Sequence, residues 1–246
     1  MPIAVRVITV AIALPAIFVL QAGCKLGKPR EGGSCSKPGA TVCASPTEGF
    51  YCNGGTYMAI PCAGPKGCTG GLLAGTCDDD LANAGDACVE QASGANYACA
   101  KDRKSELICT ANKFVSDRPC KGPQSCEVKP TGIVCDDSIA DPGDTCRSGT
   151  FSCSSDHTIM LGCQGDKFVP RFGCRGPSAC GQNQQTRGIF CDKKVEQVGD
   201  PCDTEAFRSC TADGKTLLAC KGGHFAVAQA CANECIPSQA GAAKCT

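Results

Sequence analysis

Cysteine has the most chemical scope in this sequence: the 246 residues include 25 of them. A thiol can bind a metal, attack a substrate or close a disulfide, and spacing decides among these. No Cys-x-x-Cys occurs, so zinc ribbons, thioredoxin-like redox sites and haem attachment all lack their signature. The tightest pair, Cys231 and Cys235, has three residues between. Instead, 24 cysteines fall into four sets of six. They are Cys35, Cys43, Cys52, Cys62, Cys68, Cys77; Cys88, Cys99, Cys109, Cys120, Cys126, Cys135; Cys146, Cys153, Cys163, Cys174, Cys180, Cys191; and Cys202, Cys210, Cys220, Cys231, Cys235, Cys245. The step from the last cysteine of one set to the first of the next is 11 residues each time. Cys24 alone lies outside every set.

Other reactive types are sparse. The two histidines, His157 and His224, each stand in a turn with no partner at motif spacing. There is no Gly-x-Ser-x-Gly and no P-loop, so nothing argues for an enzyme, and no cofactor is expected. The formal net charge is zero, which leaves no electrostatic footprint for nucleic acid. Carboxylates recur only at the junctions between sets. Asp78 and Asp86, Asp136 and Asp144, and Asp192 and Asp200 each stand eight residues apart. Clustered carboxylates suit calcium, which makes Asp78, Asp86, Asp136 and Asp144 candidate ligands. Asp also caps turns through its side chain. Lys193 and Lys194 at the third junction, where the others carry acid, favour capping.

The elements that must hold these residues repeat with the cysteines. The last three sets open with Gly-Asp-x-Cys, and the first with "GGSC". Three sets carry Cys-x-Gly-Pro-x-x-Cys, and the fourth has the shorter "CANEC". Five residues past each third cysteine sits an aromatic: Tyr57, Phe114, Phe168, Phe225. The stretches Ser105 to Val115, His157 to Val169 and Thr216 to Val227 place apolar, partly β-branched runs on both sides of a turn, which predicts β-hairpins. An upstream turn adds one strand, giving a three-stranded meander. The Gly-Pro segment and the run to the sixth cysteine predict a loop and a short strand. No segment has a helical pattern. The expected fold is therefore a small disulfide-rich all-β unit repeated in tandem: modules at 34–78, 86–136, 144–192 and 200–246.

Such a module has too few large apolar side chains to fold on burial alone. Three disulfides, each adding roughly 2–4 kcal/mol by constraining the unfolded chain, would substitute for a core. The recurring aromatic is read as the small core they surround, against the alternative of an exposed ligand-binding ring. The pairing of six cysteines is not readable from spacing. The fourth and fifth are close in sequence, which makes a local bridge across the Gly-Pro loop plausible.

Residues 1–23 carry one charge, Arg6, then an apolar run from Val7 to Leu20, then small residues. That is the layout of an export signal. Disulfide density on this scale requires a non-reducing compartment. The run ends in "LQAGC", which resembles the lipobox of bacterial lipoprotein precursors. The resemblance rests on Ala22 and Gly23 before Cys24; Gln21 stands where the family prefers Leu. It implies cleavage before Cys24 and lipidation of its sulfur, which would account for the odd cysteine and make the lipid bilayer a partner through an N-terminal acyl anchor. Two or more acyl chains anchor stably. Residues 24–33 would be a tether, and the protein would sit at a bacterial outer membrane or cell surface. Without lipidation it would be secreted and soluble.

The hairpin in "CQGDKFVPRFGC" resembles that of chitin-binding type 2 (peritrophin-like) modules, which also carry six cysteines. That likeness covers one hairpin per module and implies pairing of first with third, second with sixth and fourth with fifth cysteine. The second-to-third and fourth-to-fifth spacings differ from that family, and its aromatic-rich sugar face is missing. The leading expectation is a non-catalytic surface or periplasmic protein displaying its modules to an unknown extracellular protein or glycan. The alternatives are a glycan-binding protein and a protease inhibitor.

Overall fold

A computed structural model of the protein describes residues 28–71, 74–91 and 94–246. Residues 1–23 and Cys24 therefore lie outside the described residues. Among the described residues the regular elements are 22 β-strands in small sheets, with no helix. The protein is a disulfide-rich all-β chain.

Each cysteine set organises one antiparallel meander and one small hairpin. In the second set the meander runs Tyr97–Ala100, Ser105–Thr110, Lys113–Pro119, and the hairpin is Cys126–Lys129 with Gly132–Cys135. The third set repeats this with Phe151–Ser154, Ile159–Gln164 and Lys167–Gly173, then Cys180–Gln182 with Ile189–Cys191. The fourth has Arg208–Cys210, Thr216–Lys221 and His224–Ala230, then Cys235–Ile236 with Lys244–Cys245. In the first set the hairpin, Cys68–Gly70 with Gly75–Cys77, joins the meander's sheet through Thr41↔Gly75. Local chemistry sets the meander's tight turn. Gly54 and Gly55, Ala111 and Asn112, and Gly222 and Gly223 all have positive φ, as a two-residue turn between twisted strands requires.

The meanders of the last three sets carry a bulge at the same place, between Glu106/Leu107, Met160/Leu161 and Leu217/Leu218. It turns the alternation of the middle strand so that Leu107, Leu161 and Leu218 are buried against Phe114, Phe168 and Phe225. The segment between the Gly-Pro loop and the sixth cysteine holds two strands where the sequence predicted one.

All 12 disulfides lie within their own set, and the pairing is the same in each: first with third, second with fifth, fourth with sixth. Only the first-to-third bridge agrees with the peritrophin-like pattern. The expected local bridge between fourth and fifth cysteines is absent, and hairpin register explains why. Cys126 stands directly opposite Cys135, Cys180 opposite Cys191, and Cys235 opposite Cys245. The fifth cysteine is thereby set beside the first meander strand, which carries the second. The sixth is set beside the end of the third strand, where the fourth sits. Cys120 and Cys135 bring their Cα atoms to 5.1 Å, within normal bridging reach.

The junctions are not loose linkers. Leu81–Ala82 pairs in parallel with Tyr97–Ala100, and Ile139–Ala140 with Phe151–Ser154. Val195 forms the corresponding parallel bridge to Cys210. Ala82 and Ala140 are buried in the cores of the sheets that follow them. The first two junctions thus supply a strand to the unit downstream, and the third a single bridge.

Candidate functional site

The aromatic five residues past the third cysteine is core in three of four positions. Phe114, Phe168 and Phe225 are 0%, 1% and 1% exposed. Tyr57 is half-buried and tilts against Phe50 at 6.1 Å between ring centroids. A ring without a free face cannot stack on a sugar. Among the described residues the exposed rings are two others, Phe151 (50%) and Phe190 (43%), both in the third unit. Each stands opposite a glycine across its sheet, Phe151 over Gly162 and Phe190 over Gly181. A β-carbon on Gly181 would lie 2.7 Å from the Phe190 ring. The histidines make single contacts to carbonyls: His157 Nδ1 lies 3.0 Å from Cys180 O, and His224 Nδ1 lies 3.2 Å from Gly199 O.

The junction aspartates act on backbone amides. Asp78 accepts from Lys66 N at 2.9 Å and Asp80 N at 3.2 Å. Asp136 accepts from Gln124 N and Ser138 N, and Asp192 from Ser178 N and Lys194 N. These three carboxylates close the Gly-Pro loop from behind. The second aspartate of each pair caps the turn entering the next unit: Asp86 accepts from Asn83 N, Asp144 from Asp141 N, Asp200 from Gln197 N. Capping is thus the contact seen at all six. Among the described residues no group of three or more His, Cys, Asp or Glu side chains converges as metal ligands do.

The junctions also carry charge that the sequence reading did not single out. Lys121, the variable residue of the second Cys-x-Gly-Pro, reaches forward with its Nζ 2.6 Å from both Asp141 and Asp144. Arg175 holds the same place in the third. Its Nε and Nη2 donate to the two oxygens of Asp200 at 2.6 and 2.9 Å, a bidentate fork. Buried charge stands behind the second junction. Glu106 and Arg118 face each other across their strands and are ion-paired, and Arg118 also binds Asp137. Arg147, from the next unit, adds a bond to Glu106 at 2.9 Å and lies over the Tyr97 ring at 4.7 Å. At the third junction Lys193 lies over Phe172 at 4.0 Å and Phe207 at 4.9 Å, one ring from each side.

Glu196 is the anomaly. It stands where the other junctions place Ala82 and Ala140, and it is 0% exposed, with no N–H or hydroxyl donor on either carboxyl oxygen, so that its remaining polar contact is the hydrogen bond it makes to Asp200 when protonated. Its carboxyl and that of Asp200 converge on Gly173. A β-carbon there would lie 2.0 Å from Glu196 Oε2 and 2.9 Å from Asp200 Oδ2. Burial first, then the hydrogen bond and charge of Asp200, push the Glu196 pKa up to about 9. Arg175 and Lys193 oppose this but do not overcome it. At neutral pH the side chain is therefore a neutral acid, a donor beside the Asp200 carboxylate.

The sequence signal for these ties was the variable residue of Cys-x-Gly-Pro, which reads Ala63, Lys121, Arg175. Glu196 was visible only as the acid in an otherwise small-residue position. No family model, curated protein or solved structure matches the chain.

Proposed function

We propose that this is an exported, lipid-anchored, non-catalytic protein that holds a row of disulfide-built modules off a membrane and presents their loops to a protein partner. The observation that carries this reading is the junction strand. Leu81–Ala82 and Ile139–Ala140 are built into the sheet downstream, so successive modules follow one another with little free chain between them. An array meant for display needs that close succession, and the 12 disulfides suit an oxidising extracellular or periplasmic setting. Anchoring rests on the sequence of residues 20–24, with Cys24 as the lipid-bearing residue.

The burial of Phe114, Phe168 and Phe225 weighs against the glycan reading, because the repeated rings have no face to offer. The decisive experiment is intact mass and membrane fractionation of the wild type and of Cys24→Ser. Lipidation predicts a membrane-bound wild type with diacyl or triacyl mass and a variant released from the membrane with its modules folded. A soluble wild type with a free thiol at Cys24 rejects the anchor. Partner capture by the oxidised array, run beside a polysaccharide panel, separates protein display from glycan binding.

A further inference from the structure

Three kinds of tie recur at the second and third junctions, and at the first junction each is missing or turned to another partner. The forward tie comes from the variable residue of Cys-x-Gly-Pro. Lys121 reaches Asp144 and Arg175 reaches Asp200, but the first module has Ala63, which cannot reach Asp86. The backward tie comes from the second residue after the sixth cysteine. Asp137 returns to Arg118 and Lys193 returns to Phe172. Asp79 holds that place at the first junction, and its carboxylate accepts from Asn96 of the second module. The direct tie joins neighbouring modules without using the junction. Arg147 crosses to Glu106 and Tyr97, Arg187 crosses to Gln124, and Gln239 crosses to Cys191 O at 2.7 Å. Val89 stands in the second module where Arg147 stands in the third.

From these differences we infer that the first junction is a hinge: modules 2, 3 and 4 move as one body, and module 1 articulates against it about Asp79. The fixed points on either side of that residue are close. Asp78 belongs to module 1, since its amide donates to Gly67 O and its carbonyl accepts from Gly64 N. Asp80 belongs to module 2, since its carbonyl accepts from Cys99 N. Across Asp79 itself Asp80 N donates to the Asp78 carboxylate at 3.2 Å, and among the described residues no hydrogen bond, ion pair or ring contact joins residues 34–77 to the second module. Domains in one chain move relative to each other unless their interface holds them, and hinges need only a few backbone torsions. Module 1 is also the module nearest the N-terminus. The hinge would let a stiff three-module body swing while the first module stays near its attachment. The hinge itself needs no membrane, so its failure and the failure of lipid anchoring are read by separate experiments.

The test is NMR on the oxidised protein in weak alignment, with residual dipolar couplings and amide relaxation read module by module. The hinge predicts that couplings from modules 2, 3 and 4 fit one alignment tensor, while those of module 1 require a smaller one and its amides report faster tumbling. Ala63→Lys, which restores the forward tie to Asp86, should move module 1 toward the common tensor. Lys121→Ala combined with Arg147→Ala should split module 2 from modules 3 and 4. One tensor and one tumbling time for all four modules in the wild type overturns the hinge. A wild-type hinge indifferent to Ala63→Lys overturns the assignment of Ala63 as its cause.

Discussion

A β-carbon on Gly122 would lie 2.2 Å from the Cγ of Asp136. The same overlap recurs between Gly64 and Asp78 and between Gly176 and Asp192, each at 2.2 Å from Cγ. The glycine of Cys-x-Gly-Pro is thus present to make room for the carboxylate that closes its loop. The fourth set confirms the dependence by losing both: "CANEC" has no such glycine, and Thr246 follows the last cysteine. There the chain end is fastened by backbone bonds, from Thr246 N to Glu234 O and from Asn233 N to Thr246 O.

Gly122→Ala should therefore expel Asp136 and cost about 1–3 kcal/mol of stability in module 2, through the lost amide caps on Gln124 and Ser138. Asp136→Ala should cost a similar amount. The double variant should cost much less than the sum, because the alanine at 122 then meets no carboxylate. Chemical denaturation of the four proteins in the oxidised state measures the cycle. Additive losses would show that the two residues act separately.

The buried pair Glu106 and Arg118 makes a second test, because module 3 has solved the same cross-strand position with Met160 and Phe172. Arg118→Ala leaves Glu106 buried without its strand partner and should cost about 3–5 kcal/mol. Glu106→Met with Arg118→Phe transplants the apolar pair and should be neutral or stabilising by about 1–4 kcal/mol. Melting temperatures of the single and double variants decide it. A double variant as unstable as Arg118→Ala would mean that the charge pair is required where it is.

Glu196 gives a pH prediction whose direction follows from proton binding. The folded state holds a proton that the unfolded chain releases above the ordinary value of 4.5. Stability from this residue is therefore complete below pH 4.5, declines as pH rises toward about 9 and is flat beyond. The slope within that window approaches about 1.4 kcal/mol per pH unit. The charged groups facing it are Asp200, Arg175 and Lys193. Glu196→Gln should flatten the decline and raise stability at pH 8. Urea denaturation at several pH values compares the two proteins. Equal slopes would assign the dependence elsewhere.

How much of this was legible in the sequence depended on how far apart the cooperating residues stand. The cysteine sets and the aromatic in each were visible because they recur at fixed local offsets. The meander was visible because Ser105 to Val115 carries its strands and turn in one short run. The pairing of second with fifth cysteine was not, because it depends on the register of a hairpin that begins only at the fifth. The charge ties were hidden for a related reason. Lys121 and Asp144 are 23 residues apart, and Arg147 and Glu106 are 41 apart. No periodicity connects such positions; only the junction strand brings them together. The amide contacts of the junction aspartates were half legible, because Asp at a turn signals capping but does not say which amide it meets.

The order of the bridges has a covalent consequence. First-to-third, second-to-fifth and fourth-to-sixth links overlap like roof tiles, so every peptide bond between Cys35 and Cys77 is spanned by at least one of them. The other three sets are spanned in the same way. A protease that cuts once inside a module leaves the protein in one piece until a reductant arrives. The bonds left unspanned inside the array are those from Cys77 to Cys88, Cys135 to Cys146 and Cys191 to Cys202. At the heart of each of these stretches stand Ala82, Ala140 and Glu196, all buried in the sheet downstream or against the unit before it. Beside each of them lie three exposed residues, 83–85, 141–143 and 197–199, and these are the places where a single cut would sever the molecule.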